Sequence, residues 1–398
     1  MRISLRSYRF ELMVLLLAAV LRVGGIAVYG DVERPQLYEY GGIARHILAG
    51  QGYAHVFPIL HPDYGIAPRV WDDAFPTAFT MPGYVVVMTA VLGTFGDNTT
   101  AYLTLYGLNV LVALLSLLEL YLLTVILFSL RTARIALLLA AIFPPLVASA
   151  ATFGGAVWTH AVMMGALWLV LRIGAGRSGE GRARLRSTSW SFGAAGDGKG
   201  RGERGKGMWA VVLAGLVAGI WVLFRGEALG AVVLIALWLW KKKDGSFRNA
   251  GWYFVACLLV VLTWSLRNTL VFDRVVPLTT NFWLNAWRGN NPATTGGAFK
   301  SEGGSNWLTL EIEREIRLLP PSHDYELRVM DIYRERTLDF ITEQPGHALS
   351  LFLRKTAMFL TIDWSDPRAR HPLFLWPQLA LMAFTLAGAW LLARQRRL

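Results

Sequence analysis

Apolar residues fall in long runs separated by short charged connections, and these runs set the expected elements. A helix rises about 1.5 Å per residue, so crossing a hydrocarbon core takes roughly 20 apolar residues. Eight segments meet or approach that length: residues 10–29, 101–129, 135–150, 153–173, 208–224, 226–240, 251–267 and 373–392. Segments 135–150 and 226–240 are short, and Pro144 and Pro145 predict a kink in the third. The run Phe10 to Tyr29 follows Arg2, Arg6 and Arg9 with no clear small-residue cleavage site, so it reads as a retained first span. Gln36 to Ala49 repeats Leu37, Tyr40, Ala44, Ile47 and Leu48 at helical spacing, with Glu39, Arg45 and His46 off that face. This predicts an amphipathic helix lying in the membrane interface. Gly83 to Phe95 is short for a span and predicts a surface or re-entrant helix. Ala348 to Leu360, interrupted by Arg354 and Lys355, is read the same way, with a ninth span as its alternative. The expected fold is all-α: a polytopic membrane bundle of about eight transmembrane helices, interfacial helices in the first outer loop and a small outer segment.

Charge orients this bundle. Basic residues cluster at Arg131 and Arg134, from Arg177 to Lys206, at Lys241, Lys242, Lys243 and Arg248, and at Arg394, Arg396 and Arg397. With the N-terminus inside, every cluster falls on the cytoplasmic side, as the positive-inside rule requires, and an even span count returns the C-terminus there. Residues 30–100 and 268–372 then face outward. The expected domains are 1–267, a transmembrane core with the outer loop 30–100 and a basic linker 174–207; 268–372, an outer region with an interfacial helix; and 373–398, the last span and basic tail. The linker is rich in Gly, Ser and Arg and predicts a disordered connector.

Composition agrees. Of 398 residues 54% are hydrophobic and 17% charged, too little polar surface for a soluble chain of this length. The net charge of +12 is explained by membrane orientation, and no nucleic-acid partner is expected. The single cysteine, Cys257, lies in an apolar run and allows neither an intrachain disulfide nor a cysteine metal site.

Candidate chemistry concentrates outside. Asp31, Glu33, Glu39, Asp72 and Asp73 are outer-loop acids, and a carboxylate at a membrane surface can take a proton from an attacking hydroxyl. The structural reading is that most are solvated loop acids. Arg225 and Glu227 sit in a very short turn between apolar runs, where a guanidinium could clamp a lipid phosphate or simply pair with the acid. Arg267 ends the seventh span and either snorkels or faces the same anion. Pro277 to Gly297 is crowded with Asn, Thr, Trp and Gly, which suits turns, hydroxyl recognition and stacking on sugar faces, or an ordinary capped loop. His160 in the fourth span reads as a packing or polar-network residue. No cluster has metal spacing, and neither a Gly-rich phosphate loop nor a nucleophile elbow is present.

Three motifs resemble those of the bacterial GT-C glycosyltransferases that use polyprenyl-phosphate sugars and are related to protein mannosyltransferases and aminoarabinose transferases. The first is Tyr38-Glu39-Tyr40-Gly41-Gly42-Ile43-Ala44-Arg45 followed by Leu48-Ala49-Gly50-Gln51-Gly52-Tyr53. The second is Pro76-Thr77-Ala78-Phe79-Thr80-Met81-Pro82-Gly83-Tyr84, closing at Phe95-Gly96. The third and most specific is Trp264 to Asn268, then Val276-Pro277, Thr280-Asn281 and Trp287-Arg288-Gly289-Asn290-Asn291-Pro292. The resemblance implies a bacterial inner-membrane enzyme that inverts a sugar as it moves it from a polyprenyl-phosphate donor to an acceptor hydroxyl on a lipid, glycan or protein. It implies a first-loop carboxylate base: Glu39, or Asp31 if the loop is realigned. Arg225 and Arg267 would stabilise the leaving phosphate, and Tyr40, Asn281, Trp287, Asn290 and Asn291 would contact substrate. Many family members carry an aspartate or an Asp-Glu pair before the tyrosine and an acid near the fourth span; here stand Gln36-Leu37 and Trp158-Thr159-His160. No cofactor is expected, and a divalent metal is left open. The competing readings are a transporter or flippase of a lipid-linked sugar and a non-catalytic subunit of an envelope assembly.

Overall fold

The computed structural model describes residues 8–55, 74–175, 201–241, 247–297, 310–320 and 322–394. Its helices are α1 (Arg9–Tyr29), α2 (Tyr38–Leu48), α3 (Pro82–Phe95), α4 (Thr99–Leu127), α5 (Leu130–Ile142), α6 (Pro144–Ala148), α7 (Ala156–Ala175) and α8 (Arg201–Phe224). There follow α9 (Ala228–Lys241), α10 (Phe247–Phe272), α11 (Phe282–Gly289), α12 (Leu310–Leu318), α13 (Tyr325–Glu343), α14 (Pro345–Leu360) and α15 (Pro372–Arg394). Two-residue strands β1 (Ala54–His55) and β2 (Phe75–Pro76) pair antiparallel, Ala54 opposite Pro76 and His55 opposite Phe75. The chain divides into two compact units, Met1–Tyr53 with Met81–Leu278 and Ala54–Thr80 with Thr279–Leu398.

Each of the eight expected segments is occupied by a helix or helix pair. Among the described residues α1, α4, α10 and α15 are long and apolar enough to cross a membrane, and α5 with α6 makes a fifth if the bent pair is one span. The apolar stretches Ala156–Leu171, Met208–Phe224 and Ala228–Lys241 are shorter. Leu12, Met13, Leu16, Val20 and Val23 on α1 and Leu103, Leu111 and Leu115 on α4 stay exposed. Water-soluble surfaces do not carry such bands, whereas hydrocarbon solvates them. The fold is therefore a polytopic helical membrane bundle. The expected helices in the first loop and before the last span are present as α2, α3 and α14. Of the expected disordered connector, residues 176–200 lie outside the described residues, while 201–207 open α8.

In the first unit the helix ends follow local chemistry. Asn98 caps α4, its Oδ1 accepting from the N–H groups of Thr100 and Ala101. Ser129 caps α5 by accepting from Thr132 N–H. The expected proline break bends α5 against α6 by 59°. In an unbroken helix the Ala141 carbonyl would accept from residue 145, but Pro145 has no N–H. Arg22, only 1% exposed, fills that gap from α1: its Nη1 donates to Ala141 O and to Ala18 O, each at 3.1 Å. Near the start of α1, Glu11 accepts from Arg134 Nε at 2.8 Å and from Tyr121 hydroxyl at 3.1 Å. α8 packs on α10 through small residues: a Cβ on Gly215 would stand 2.2 Å from Tyr253 O, and one on Gly219 2.8 Å from Cys257 O.

The second unit has its own core of Leu284, Trp287, Ile312, Ile316, Tyr325, Val329, Met330, Tyr333, Phe340 and Leu351. Its polar centre is Glu326, 2% exposed. Glu326 accepts from Thr77 hydroxyl at 2.5 Å, from Ala78 N–H at 3.0 Å and from Thr280 hydroxyl. Thr280 N–H also donates to Ala78 O at 3.1 Å, so one buried carboxylate joins two remote loop segments to α13.

Candidate functional site

Glu39 and Tyr40 lie in the first turn of α2. The helix opens at Tyr38 with φ of 52°, a left-handed conformation uncommon for a non-glycine residue. The next turn requires glycine, because a Cβ on Gly41 would lie 2.3 Å from Leu37 Cβ. Glu39 is half-buried and makes no hydrogen bond or ion pair among the described residues. The Tyr40 ring meets Tyr84 of α3 edge-on at 5.2 Å. Tyr84 lies 6.3 Å from Trp158 of α7, and Trp158 stacks parallel to Phe224 at the end of α8, centroids 6.2 Å apart. Gly83 allows this closeness: a Cβ there would stand 2.7 Å from the Phe224 ring and 2.8 Å from Leu223 O.

This aromatic column fixes the groups around it. Arg225 follows Phe224 directly, with its side chain 60% exposed and its Nε 3.7 Å from Glu227. Arg225 acts electrostatically on Tyr40. Burial raises the Tyr40 hydroxyl pKa, Glu39 adds to the rise and Arg225 opposes it, so Tyr40 stays a neutral hydroxyl near pH 7. The first unit thus gathers Glu39, Tyr40, Arg225 and Glu227 from α2 and the α8–α9 turn.

Asp31 is exposed, and its Oδ1 accepts from the N–H groups of Glu33 at 3.0 Å and Arg34 at 2.8 Å, closing its own turn. Asp72 and Asp73 lie outside the described residues. Arg267, on α10, donates to Tyr53 O at 2.8 Å and to Asn268 Oδ1 at 3.0 Å, with its guanidinium 5.2 Å from the rings of both Tyr53 and Trp264. It holds the first loop at Tyr53 against α10. Asn268 donates to Val276 O and Leu278 O, which fixes the chain leaving that helix.

The remaining expected contact residues belong to the second unit. Asn281 donates to Phe79 O at 2.9 Å and accepts from Thr279 hydroxyl at 3.0 Å. Trp287 is 6% exposed in the apolar core. Asn290 donates to Ala286 O and accepts from Lys355 Nζ at 2.9 Å. Asn291, 1% exposed, donates to Trp287 O and accepts from Ala293 N–H. These side chains shape their own loop. Burial lowers the Lys355 pKa, and its ammonium also donates to Gly289 O at 2.8 Å.

Sequence reading missed the buried polar residues Arg22, Glu11 and Glu326, and the half-buried Glu119, which faces Gly165, where a Cβ would lie 2.9 Å from its Oε1. A charge inside an apolar run was the available signal for Arg22 and Glu119. Among the described residues no group of three His, Cys, Asp or Glu side chains could hold a metal ion.

By fold, then, the chain is an all-α polytopic membrane protein with an ionisable cluster on an aromatic base. No family model matches the sequence, and a comparison with curated proteins finds no match. Solved structures with similar folds include the oligosaccharyltransferase of Archaeoglobus fulgidus in complex with Zn and sulfate: 17% identity, 96% of this chain and 43% of that one, TM-score 0.47. The same enzyme tethered to an acceptor peptide containing the NVT sequon aligns at 16% identity over 88% of this chain and 38% of that one, TM-score 0.44. ArnT from Cupriavidus metallidurans, bound to undecaprenyl phosphate, aligns at 15% identity over 98% of this chain and 73% of its own, TM-score 0.45. The chain therefore spans about two fifths of the oligosaccharyltransferase.

Proposed function

We propose that this protein is a membrane glycosyltransferase that moves a sugar from a polyprenyl-phosphate donor to an acceptor hydroxyl at the extracytoplasmic face of a bacterial inner membrane. The supporting observation is the gathering of Glu39, Tyr40 and Arg225 from separate elements of the first unit. Glu39 carries no hydrogen bond or ion pair that would compete with a hydroxyl proton. As base, it takes that proton while the acceptor oxygen bonds to the anomeric carbon. The carbon–oxygen bond to phosphate breaks, and its electron pair leaves on the phosphate. One in-line displacement inverts the anomeric centre. Arg225, exposed and only loosely held by Glu227, faces the growing phosphate charge. Arg267 supports the reaction by holding the first loop, its guanidinium donating to Tyr53 O. Asp31 is the alternative base, and its engagement in its own turn ranks it below Glu39. Tyr40 is the neutral hydroxyl of the site.

Glu39→Gln keeps the shape and removes the base; it is expected to lower transfer by about 10²-fold or more. Arg225→Ala is expected to lower it by about 10²–10³-fold. The assay is transfer by the purified chain, paired with mass spectrometry of lipids in a deletion strain, where the lipid-linked donor should accumulate. Undiminished transfer in both variants would remove these assignments.

A further inference from the structure

Glu119 is the only charged residue of α4, and the proposed transfer makes no use of it. Leu117, Leu118, Leu120 and Leu122 flank it. It lies about 12 Å before the end of a 29-residue helix, so a hydrocarbon layer of about 30 Å centred on α4 contains it. The facing helix leaves a seat for its carboxyl: a Cβ on Gly165 of α7 would stand 2.9 Å from Oε1 and 3.7 Å from Cδ. The other oxygen, Oε2, is buried and has no hydrogen-bond partner. Glu119 takes part in no ion pair among the described residues. The helices around α4 offer it no counter-ion. Residues 161–171 of α7 contain no ionisable side chain, with His160 and Arg172 bounding the stretch, and α3 contains no charged residue. On α5, Arg134 is taken by Glu11, and Arg131 is exposed at the helix start. On α1, Arg22 is taken by Ala18 O and Ala141 O, and Arg9 is exposed. Tyr121, two residues further along α4, turns its hydroxyl to Glu11. A bare carboxylate with neither counter-ion nor donor is costly in hydrocarbon; with its proton the group is only polar.

We propose that Glu119 is a proton-binding site within the membrane, carried as the neutral acid and open from the hydrocarbon to a hydrophobic reagent. The proposal does not use the glycosyltransferase reading and stands or falls apart from it. Glu119 is half-buried, and Leu115, one turn earlier, keeps 49% of its surface exposed, so the carboxyl sits at the edge of the α4–α7 seam rather than behind it. A hydrophobic carbodiimide partitions to that depth and reacts with carboxyls that carry a proton. The O–H adds across one C=N bond: the proton goes to nitrogen and the carboxyl oxygen bonds to carbon. The O-acylisourea then shifts its acyl group to nitrogen and gives a stable N-acylurea, with no atom lost and no oxidant needed. Glu11 supplies the contrast within the same chain. It is 6% exposed, but Arg134 and Tyr121 both donate to its Oε1, so it keeps its charge and does not react.

The test treats the full chain in nanodiscs at neutral pH with dicyclohexylcarbodiimide, and separately with a water-soluble carbodiimide, and maps the adducts by peptide mass spectrometry. The expected result is an N-acylurea on Glu119 from the hydrophobic reagent alone, with Glu11 unmodified by either. Glu119→Gln, which keeps the shape and removes the acid, should lose the adduct. It should also lose the infrared carbonyl band of a protonated carboxyl that wild type shows at the same pH. If Glu119→Gln does not insert, the contrast between Glu119 and Glu11 in the wild-type chain decides by itself. Three results would overturn the proposal: no adduct on Glu119; adducts on Glu119 and Glu11 alike; or equal modification of Glu119 by the two reagents. An infrared band that is the same in wild type and Glu119→Gln would overturn it as well.

Discussion

Arg45 and Asp97 show how single residues hold the first loop. Arg45 Nε donates to Asp97 Oδ2 at 2.6 Å, and Tyr102 hydroxyl donates to Asp97 Oδ1 at 2.5 Å. These bonds tie α2 to the corner between α3 and α4. The Arg45 hydrogen bond holds the Asp97 carboxyl below its ordinary range, against an opposing effect of burial. A depressed folded pKa means that the contribution is present above the unfolded value near 3.8 and is lost as pH falls through the folded value. Both side chains are partly exposed, 51% and 38%, so solvent screening limits the pair to about 0.5 kcal/mol. The protection of the α2 amides, corrected for the intrinsic exchange rate at each pH, should therefore fall by about twofold as pH is lowered below about 4. Asp97→Asn should lower that protection at pH 7 and flatten the acid response; an unchanged acid response would show that Asp97 does not hold α2. Arg22 makes a complementary point. Its place in an apolar run was visible, but its reason, a carbonyl left open by Pro145 on another helix, is a matter of three-dimensional placement.

At the scale of elements, α8 meets α10 backbone to backbone at two glycines. Gly215 and Gly219 are four residues apart on one face, the small-residue spacing that lets helix backbones approach. Gly215→Val would drive a side chain into Tyr253 O and Ala256, costing about 1–3 kcal/mol by overpacking. Gly230→Ala on α9 meets nothing within 4 Å and should stabilise by up to about 1 kcal/mol through helix propensity. Thermal unfolding of the purified variants checks the pair, and equal midpoints would show that the glycine contact carries no weight. The spacing was legible in the sequence; its partner face on α10 was not. The same holds for α14. Its apolar face, with Leu349, Phe352, Leu353, Phe359 and Leu360 exposed, follows from periodicity. The engagement of its charged residues, Arg354 with Thr295 O and Lys355 with Gly289 O, required the folded loop.

For the whole molecule, sidedness is the property on which the proposal depends. Cys257 is 0% exposed, so the native chain should resist a membrane-impermeant maleimide. Cysteines placed at Glu39 and Arg225 should both be labelled in cells from the extracytoplasmic side, and labelling from opposite sides would end the proposed site. The apolar runs, their approximate ends, the proline break and the amphipathic first-loop helix were all determined by the sequence, because length and periodicity of apolar residues decide how a chain meets hydrocarbon. Glu39, Tyr40 and Arg225 could be nominated in the same way, as ionisable or hydroxyl groups beside spans. Tertiary structure alone decided their company. Trp158 of α7 stacks on Phe224 beside Arg225, Arg267 turns to Tyr53, and Glu326 draws Thr77 and Thr280 together from segments about 200 residues apart. Local sequence sets periodicity and propensity, whereas partnership between remote side chains comes from packing that no single segment contains.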